Sequence, residues 1–281
     1  MQRLLIVDGM NLLFQMFYGM PARIVNSEGR AIQGTLGFVG ALLKIVRMVS
    51  PTHVVVLFDG ECENARSDID PEYKANRPDF EGLDENDIPF SQLPDVYAAL
   101  DYLGIRHAET VGCETDDVIA SYTIALGGEY EVVISSFDSD FFQLITDSVS
   151  VLRYRGDKTV ICDPDYIRAR LGIEPCQYAD HKSLTGDTAD NVKGVDKVGS
   201  KTATDLIRQF GSLEGVLANA EQIKRPSVRE SVIKNAERAR MNYQLIKLTA
   251  SASLPFSPDQ LEYSLPESAS TRAILTAIGA T

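Results

Sequence analysis

The amino-acid sequence alternates short apolar runs with longer segments of helical spacing. Three runs rich in β-branched residues, at 4–7, 54–58 and 132–135, are typical of strands buried on both faces of a sheet. Residues 34–49 and 116–126 lie between these runs and have the length and apolar content of helices. Alternating strands and helices predict an α/β protein with a mostly parallel sheet flanked by helices.

The second half of the chain is predicted to be mainly helical. Two further strands are predicted at 148–154 and 158–162, and a helical pattern then begins near residue 164 and includes a long polar helix over 229–248. The final segment is rich in Ser, Pro and Ala and predicts a tail with one short helix. The expected organisation is a core over 1–165, a helical region over 166–255 and a tail over 256–281.

Each predicted core strand is followed by aspartate. Asp8 ends the first strand, Asp59 ends the second, and Asp138 and Asp140 follow the third. A single aspartate after a strand is usually a turn residue. Parallel sheets bind ligands beyond the carboxyl ends of their strands, so three strands that end in the same way favour a shared acidic crevice.

A second acidic group begins the predicted helix over 116–126. Glu114, Asp116 and Asp117 fall within four positions, and acidic residues are favoured in the first turn of any helix. Taken alone, this stretch predicts only a helix start. A helix that begins at the same rim would also bring its carboxylates to the crevice.

Carboxylates gathered in one crevice repel one another and resist full ionisation. A divalent cation removes that repulsion, and oxygen ligands without His or Cys favour Mg²⁺ or Mn²⁺. Two such ions about 4 Å apart would activate a water and stabilise the leaving oxygen of a phosphodiester. The alternative is a rim of solvated acids without a ligand.

The net charge of −13 would argue against a nucleic-acid partner if it were evenly spread. It is not, because residues 61–95 contain eleven acidic and three basic residues, whereas residues 191–247 contain eleven basic and six acidic ones. Within the basic segment, the stretch Gly-Val-Asp-Lys-Val-Gly-Ser-Lys predicts a hairpin that opens a helix. Such a hairpin presents backbone N–H groups, Lys197 and Lys201 to a phosphate. An ordinary helix–turn–helix with a Gly turn is the alternative.

Other residue types exclude several classes of protein. The four cysteines form no Cys-x-x-Cys pair and the three histidines are scattered, which argues against structural zinc and a disulfide framework. Neither a signal-peptide pattern nor a run long enough to span a membrane is present in the sequence. We therefore expect a cytoplasmic protein.

The combined motifs resemble the 5′-nuclease superfamily, which includes the N-terminal 5′→3′ exonuclease domain of bacterial DNA polymerase I, phage 5′-exonucleases and flap endonucleases. The resemblance covers residues 3 to 250 and is carried, in order, by LLIVDGMN, PTHVVVLFDG, EYKANRP, GCETDDVIA, VVISSFDSDFFQL and LTGDTADNVKGVDKVGSKTA. No polymerase or proofreading segment follows in this sequence, so we expect a free-standing member.

The resemblance implies a PIN-like resolvase core, a helical arch over 61–95 and a C-terminal helix–hairpin–helix that binds duplex DNA. It implies a first metal held through Asp8, Asp59, Glu114, Asp116 and Asp138, and a second that involves Asp117, Asp140, Asp187 and Asp190. In the arch, Tyr73 would stack on a base while Lys74 and Arg77 contact the phosphates at the scissile bond. The hairpin would bind DNA through Gly194, Lys197, Gly199, Ser200, Lys201 and Thr202, with K⁺ near Val195 and Val198.

The sequence departs from the family pattern at several positions. Phe137-Asp138-Ser139-Asp140 stands where the family commonly has Gly-Asp-Lys-Asp, and Gln15 replaces a basic residue. In the hairpin, Lys193 stands in place of Pro and Lys197 in place of Gly. The acidic composition of the arch opposes a single-stranded 5′ arm, because phosphate contacts govern such binding.

The favoured function is a metal-dependent 5′→3′ exonuclease and flap endonuclease in DNA repair and replication-primer removal, acting as a monomer at the nucleoid. The alternative is a catalytically weak DNA-junction-binding protein of the same fold. A haloacid-dehalogenase-like phosphatase would need a second Asp where Met10 stands. A ribonuclease of the PIN-like fold is closer, but the helix–hairpin–helix favours DNA.

Overall fold

A six-stranded sheet forms the centre of the computed structural model, which describes residues 2–60, 65–78, 80 and 82–280. The strands are β1 (Gln2–Asp8), β2 (His53–Asp59), β3 (Arg106–Thr110), β4 (Tyr130–Ser135), β5 (Val149–Arg153) and β6 (Val160–Cys162). They lie in the order β3-β2-β1-β4-β5-β6, with the first five parallel and β6 antiparallel to β5. The chain changes direction across the sheet between β1 and β4, where ligands of such sheets bind.

Helices cover both faces of the sheet and continue beyond it. Those up to the end of β4 are α1 (Gly9–Gly19), α2 (Gln33–Val49), α3 (Ala65–Ile69), α4 (Leu93–Leu103) and α5 (Thr115–Leu126). The later ones are α6 (Pro164–Leu171), α7 (Tyr178–Thr185), α8 (Ser200–Phe210), α9 (Leu213–Ala218), α10 (Pro226–Lys234), α11 (Ala236–Ile246) and α12 (Thr271–Ala277). A small hairpin of β7 (Gly186–Asp187) and β8 (Val192–Lys193) joins α7 to α8.

Alternation along the strands divides the core into two clusters. Leu4 and Ile6 pack on the side of α5, whereas Leu5 and Val7 pack on the side of α1, α2 and α4. All four are fully buried. Burying one such side chain stabilises the fold by about 2 kcal/mol, which fixes the register of β1 and hence the position of Asp8 at its end.

The predicted strands and the α/β architecture are confirmed, but β3 was not predicted. Its sequence, Arg-His-Ala-Glu-Thr, is largely polar because β3 is an edge strand with exposed residues on its faces. Edge strands lack the apolar signal that buried parallel strands carry.

The prediction of one long helix over 229–248 is wrong. The chain forms two helices there, α10 and α11, with a break at Asn235. Asn235 has a ψ of 18°, and its side-chain amide donates to the carbonyl of Ser231 at 2.8 Å. An asparagine side chain that bonds to nearby backbone competes with a continuous helix.

The segment expected to form a tail packs onto the core. Leu261 is buried, Glu262 bridges His53 at the start of β2, and Ile274 of α12 is buried against α2 and α4. In the predicted arch, residues 61–64, 79 and 81 lie outside the described residues. Among the helices of the described ranges, none has the length and apolar character needed to cross a membrane.

Candidate active site

The first acidic residue of the site is fixed by the β1–α1 turn. Asp8 caps α1, with Oδ1 accepting from the backbone N–H of Asn11 at 3.0 Å. Its Oδ2 accepts from the hydroxyl of Ser136 at 2.8 Å. Asp8 is buried, so both carboxylate oxygens are held at the junction of β1 and the loop after β4.

The loop after β4 is held by side-chain contacts rather than by a flexible glycine. The N–H of Phe137 donates to Asn11 Oδ1 at 3.0 Å, and that of Asp138 donates to Ser136 Oγ at 3.0 Å. Asp138 Oδ1 in turn accepts from the N–H of Asp140 at 2.8 Å. The Phe-Asp-Ser-Asp sequence therefore still turns both carboxylates toward the carboxyl end of the sheet.

These acids border a crevice of about 760 Å³ at the carboxyl ends of β1, β2 and β3. Five of the predicted metal ligands line it: Asp8, Asp59, Glu114, Asp116 and Asp138. Aromatic side chains and Arg77 line other parts of its wall. Gly60 is required at the mouth, because a Cβ there would lie 2.3 Å from the carbonyl oxygen of Thr110.

Burial and mutual repulsion raise the pKa values of the crevice carboxyls. Burial, followed by the charges of Asp59 and Asp138, raises the pKa of Asp8 from 3.8 to about 7. Burial and the charge of Asp138 raise the pKa of Asp116 well above its usual range. Burial and the charges of Asp190 and Asp187 raise the pKa of Asp138, although the hydrogen bond from the N–H of Asp140 opposes this shift. A crevice of this kind favours a cation.

Basic residues of the arch segment neutralise the acids at the start of α5. Arg66 is buried, and its guanidinium donates to Glu114 Oε2 at 2.5 Å and to Asp117 Oδ1 at 2.9 Å. Lys74 Nζ lies 3.0 Å from Glu114 Oε1. Asp117 also accepts from the N–H of Thr249, and it lines a neighbouring cavity of about 390 Å³ rather than the crevice.

A third acidic group lies beside Asp138. Asp187 pairs with Lys182 of α7, and Asp190 Oδ1 accepts from Arg77 at 3.2 Å. Asp140 is buried, and its Oδ1 has no hydrogen-bond partner in the described part of the chain. Burial and the charge of Asp138 raise the pKa of Asp140 well above its usual range.

The donor chemistry of these groups fits a hard divalent ion. The crevice offers carboxylate oxygens, and the unpartnered, buried Asp140 Oδ1 is an acceptor that a cation would satisfy. Across the described ranges, however, no three acidic, His or Cys side chains converge closely enough to hold one ion directly. Several of the acids are engaged by the arch and α7 cations instead.

The arch residues dock against the hairpin loop. The N–H of Lys74 donates to the carbonyl of Asp190 at 3.0 Å, and Asn76 Nδ2 donates to the carbonyl of Thr188 at 2.9 Å. Tyr73 is only 7% exposed and packs against Val192 and the end of α11. The predicted stacking of Tyr73 on a base stays a prediction, because this conformation does not present the ring.

The predicted DNA-binding hairpin, residues 194–201, follows β8 and leads into α8. Its first glycine, Gly194, packs tightly against the end of α7. A Cβ on Gly194 would lie 2.3 Å from the carbonyl oxygen of Thr185, and Gly186 has a φ of +78°. Lys197 adopts a φ of +65°, so the turn keeps a left-handed residue where the family usually has glycine. Most of the predicted DNA-contacting residues of this loop are exposed: Lys197, Gly199, Ser200 and Lys201, with Gly194 and Thr202 partly so.

Comparison with known proteins identifies the family. A family model described as 5′-3′ exonuclease, N-terminal resolvase-like domain, matches residues 3–172. A second model, described as 5′-3′ exonuclease, C-terminal SAM fold, matches residues 173–269. The chain belongs to the 5′-3′ exonuclease family. The resemblance drawn from the motifs is thereby confirmed.

Sequence relatives of this 5′-3′ exonuclease family member include longer proteins. It is 33% identical over 274 residues to the thermostable DNA polymerase I of Thermus aquaticus, covering 97% of this chain and 31% of the polymerase. It is 30% identical over 273 residues to DNA polymerase I of Streptococcus pneumoniae, covering 95% and 30% of the two chains. The chain thus spans about a third of the length of these curated relatives.

Solved structures share the fold of this family member. One is the T5 5′-exonuclease with divalent zinc ions bound, at a TM-score of 0.70 and 24% identity, covering 87% of this chain and 89% of that one. Another is the catalytic core of Rad2 in complex with DNA substrate, at a TM-score of 0.63 and 16% identity, covering 98% and 88%. At these identities, the similarity concerns the fold.

Several residues that organise the site of this exonuclease family member were not predicted from the sequence. Arg66 and Lys182 hold carboxylates that the motifs identified, but neither residue stands in a motif with a charge-pairing signal. Ser136 and Asn11 orient Asp8 and the following loop, and only the three-residue spacing of Asn11 from Asp8 could have indicated a cap. Gln15 donates to the carbonyl of Tyr154 at 2.7 Å, which gives it a structural contact.

Proposed function

We propose that this chain is a metal-dependent 5′→3′ exonuclease and structure-specific flap endonuclease that hydrolyses DNA phosphodiester bonds in repair and primer removal. The observation that carries the proposal is the crevice at the switch point of the sheet, where Asp8, Asp116 and Asp138 have raised pKa values. The DNA polymerase I relatives and the fold shared with a T5 5′-exonuclease and with DNA-bound Rad2 support it.

The proposed cofactors are two or more Mg²⁺ or Mn²⁺ ions, since all nine proposed ligands are carboxylates. The proposed ligands of the first ion are Asp8, Asp59, Glu114, Asp116 and Asp138. Those of the second are Asp117, Asp140, Asp187 and Asp190, some acting through water. When bound, such ions supply an activated water and neutralise charge on the leaving oxygen.

The chain's own residues position the substrate. Arg77 lies at the crevice with a half-exposed side chain, where it can exchange Asp190 for a phosphate oxygen. The proposed duplex contact is the hairpin, with Lys197, Lys201 and the N–H groups at the start of α8 holding phosphates. K⁺ near the carbonyls of Val195 and Val198 is part of the same proposal.

The proposed organisation is a nuclease core over 1–165, a DNA-binding helical region over 166–255 and a final segment over 256–281. We further propose that the protein works in the cytoplasm at the nucleoid as a monomer. Its partner is double-stranded DNA that carries a 5′ flap or a 5′ end. The basic excess of residues 191–247 supports this choice of partner.

The decisive experiment compares flap, nicked, blunt and single-stranded substrates in Mg²⁺, Mn²⁺ and chelator. We expect cleavage near the flap junction in metal and none in chelator. Asp116→Ala and Asp138→Ala should lower the rate at least about 100-fold, because loss of a residue that only supports a ligand already costs 10- to 100-fold. Asp147→Ala, which removes an exposed carboxylate outside the crevice, is the matched control. Undiminished cleavage by the crevice variants would assign the activity elsewhere.

A catalytically weak DNA-junction binder is the second candidate. The observation that favours it is the pairing of Glu114, Asp117, Asp187 and Asp190 with basic side chains of the chain itself. Tight flap binding without turnover in either metal would support this candidate. Metal-dependent turnover that the crevice substitutions abolish would exclude it.

A further inference from the structure

An aromatic cluster lines the same crevice as the carboxylates. Phe14 of α1 lies 6.0 Å from Phe80 and 5.4 Å from Phe90 between ring centroids, and Phe80 lies 5.4 Å from Phe90. Tyr18, one turn along α1, lies 6.0 Å from Phe14. All four rings line the same crevice as Asp8 and Asp116. We call these four side chains the aromatic wall.

The aromatic wall is partly open to solvent. Tyr18 is 59% exposed and Phe90 is 38% exposed, although both are large apolar side chains. The three phenylalanine rings meet at interplanar angles of 74° to 86°, the edge-to-face arrangement that aromatic pairs favour. A partly exposed aromatic surface inside a crevice indicates contact with a flat apolar ligand.

Charge in the arch argues against phosphates as that ligand's main contact. Residues 61–95 carry eleven acidic and three basic residues. Each of the three basic residues contacts a carboxylate of the site: Arg66 and Lys74 contact Glu114, and Arg77 contacts Asp190. A strand that enters here gains little from its phosphates. Stacking of bases on aromatic rings contributes about 1–3 kcal/mol per base and needs no positive charge.

We propose that the aromatic wall binds unpaired nucleobases of the substrate's 5′ arm, so that this protein holds the arm by its bases rather than by its phosphates. The proposal rests on the proposed function and specifies how the same crevice selects its substrate. The stacked bases lie against Phe90 and Tyr18 at the crevice mouth. Tyr73 takes no part in this contact, because it is buried against α11.

Three substrates separate base contacts from phosphate contacts. They share one nicked duplex and differ only at the 5′ end: no arm, a short thymidine arm, or an arm of abasic residues with the same number of phosphates. Dissociation constants measured in Ca²⁺ should be about tenfold lower with the thymidine arm than with no arm, as expected for one or two stacked bases. The abasic arm should give no such gain, and the gain should persist from 50 to 200 mM salt.

Variants of the wall test the assignment to these rings. Tyr18→Ala and Phe90→Ala change exposed side chains, and each should reduce the ratio of thymidine-arm to no-arm affinity toward one. Because the ratio is taken within each variant, any general loss of duplex affinity cancels. Tyr102→Ala is the matched control, since Tyr102 of α4 is 55% exposed and does not line the crevice.

Equal binding of the thymidine and abasic arms would overturn the proposal, as would a gain that falls steeply with salt or survives in both wall variants. Failure of the proposed function gives a different result. In that case no armed or armless duplex is cleaved in Mg²⁺, while the base-dependent gain in binding is still measured.

Discussion

Removing one negative charge from the crevice should stabilise the metal-free protein while abolishing its chemistry. The substitution is Asp8→Asn. Asparagine keeps the oxygen that accepts from the N–H of Asn11, and its amide can donate to Ser136 Oγ once that hydroxyl turns. The local contacts therefore survive in altered form, and the main change is the loss of a buried charge.

The magnitude follows from the pKa of Asp8, which burial and the charges of Asp59 and Asp138 raise from 3.8 to about 7. Between these two pKa values the folded protein keeps the Asp8 proton, whereas the unfolded chain has released it. The stability that protonated Asp8 allows is therefore complete below pH 3.8 and is lost as pH rises through 7. At about 1.4 kcal/mol per pKa unit, ionised Asp8 costs the folded state about 4 kcal/mol. In Asp8→Asn, the hydrogen bonds to Asn11 and Ser136 are weaker, which costs about 1 kcal/mol. The expected net stabilisation is therefore about 3 kcal/mol.

Urea unfolding in chelator at pH 5 and pH 8 measures the effect. At pH 8, Asp8→Asn should raise the free energy of unfolding by about 3 kcal/mol, and at pH 5 the gain should shrink by more than half. Asp147→Asn, at an exposed position, should show no such pH-dependent gain. A gain of equal size at both pH values, or a less stable variant at pH 8, would refute the assignment of a strained buried charge.

Three further predictions concern the metal, the arch and the hairpin. Millimolar Mg²⁺ should raise the melting temperature of the wild type and chelator should reverse it; at 100 times the dissociation constant, binding contributes about 2.7 kcal/mol. Arg66→Met should lower the free energy of unfolding by about 3–5 kcal/mol in urea, because Glu114 and Asp117 lose a buried partner, and Arg66→Lys should lose less. Lys197→Gly should stabilise the fold by about 1 kcal/mol by relieving a positive φ. The same change should weaken duplex binding and reduce its salt slope by about one, as binding titrations at several salt concentrations would show.

The sheet and the acidic crevice could be predicted from the sequence because both depend on local patterns. A parallel strand buried on both faces must be apolar, so β1, β2 and β4 were predicted from their apolar runs. An Asp at or just after the carboxyl end of each strand indicates a common edge. The edge strand β3 was hidden by its exposed polar residues. The break at Asn235 was hidden because it depends on a single side chain that bonds to the carbonyl of Ser231.

The partners of the acids could not be predicted, because they are set by tertiary contacts. Arg66 lies 48 residues before Glu114 in the chain and meets it only when α3 docks beside α5. Lys182 reaches Asp187 within the α7–hairpin unit, yet nothing in the sequence distinguishes it from a solvated lysine. Leu261 and Ile274 likewise bury only against residues distant in the chain, so the final segment was expected to be a tail.

An acidic protein can bind a polyanion if its acidic and basic residues are segregated. Residues 191–247, which include the predicted hairpin, have a basic excess, whereas the five acids that line the crevice lie at the carboxyl edge of the sheet. Lys74 and Asn76 tie the two regions together through the carbonyls of Asp190 and Thr188. Under the proposed function, a duplex bound at the hairpin would be repelled by the crevice carboxylates, and bound cations would remove that repulsion. We therefore expect metal binding to relieve the repulsion among the crevice carboxylates and to favour approach of the proposed substrate.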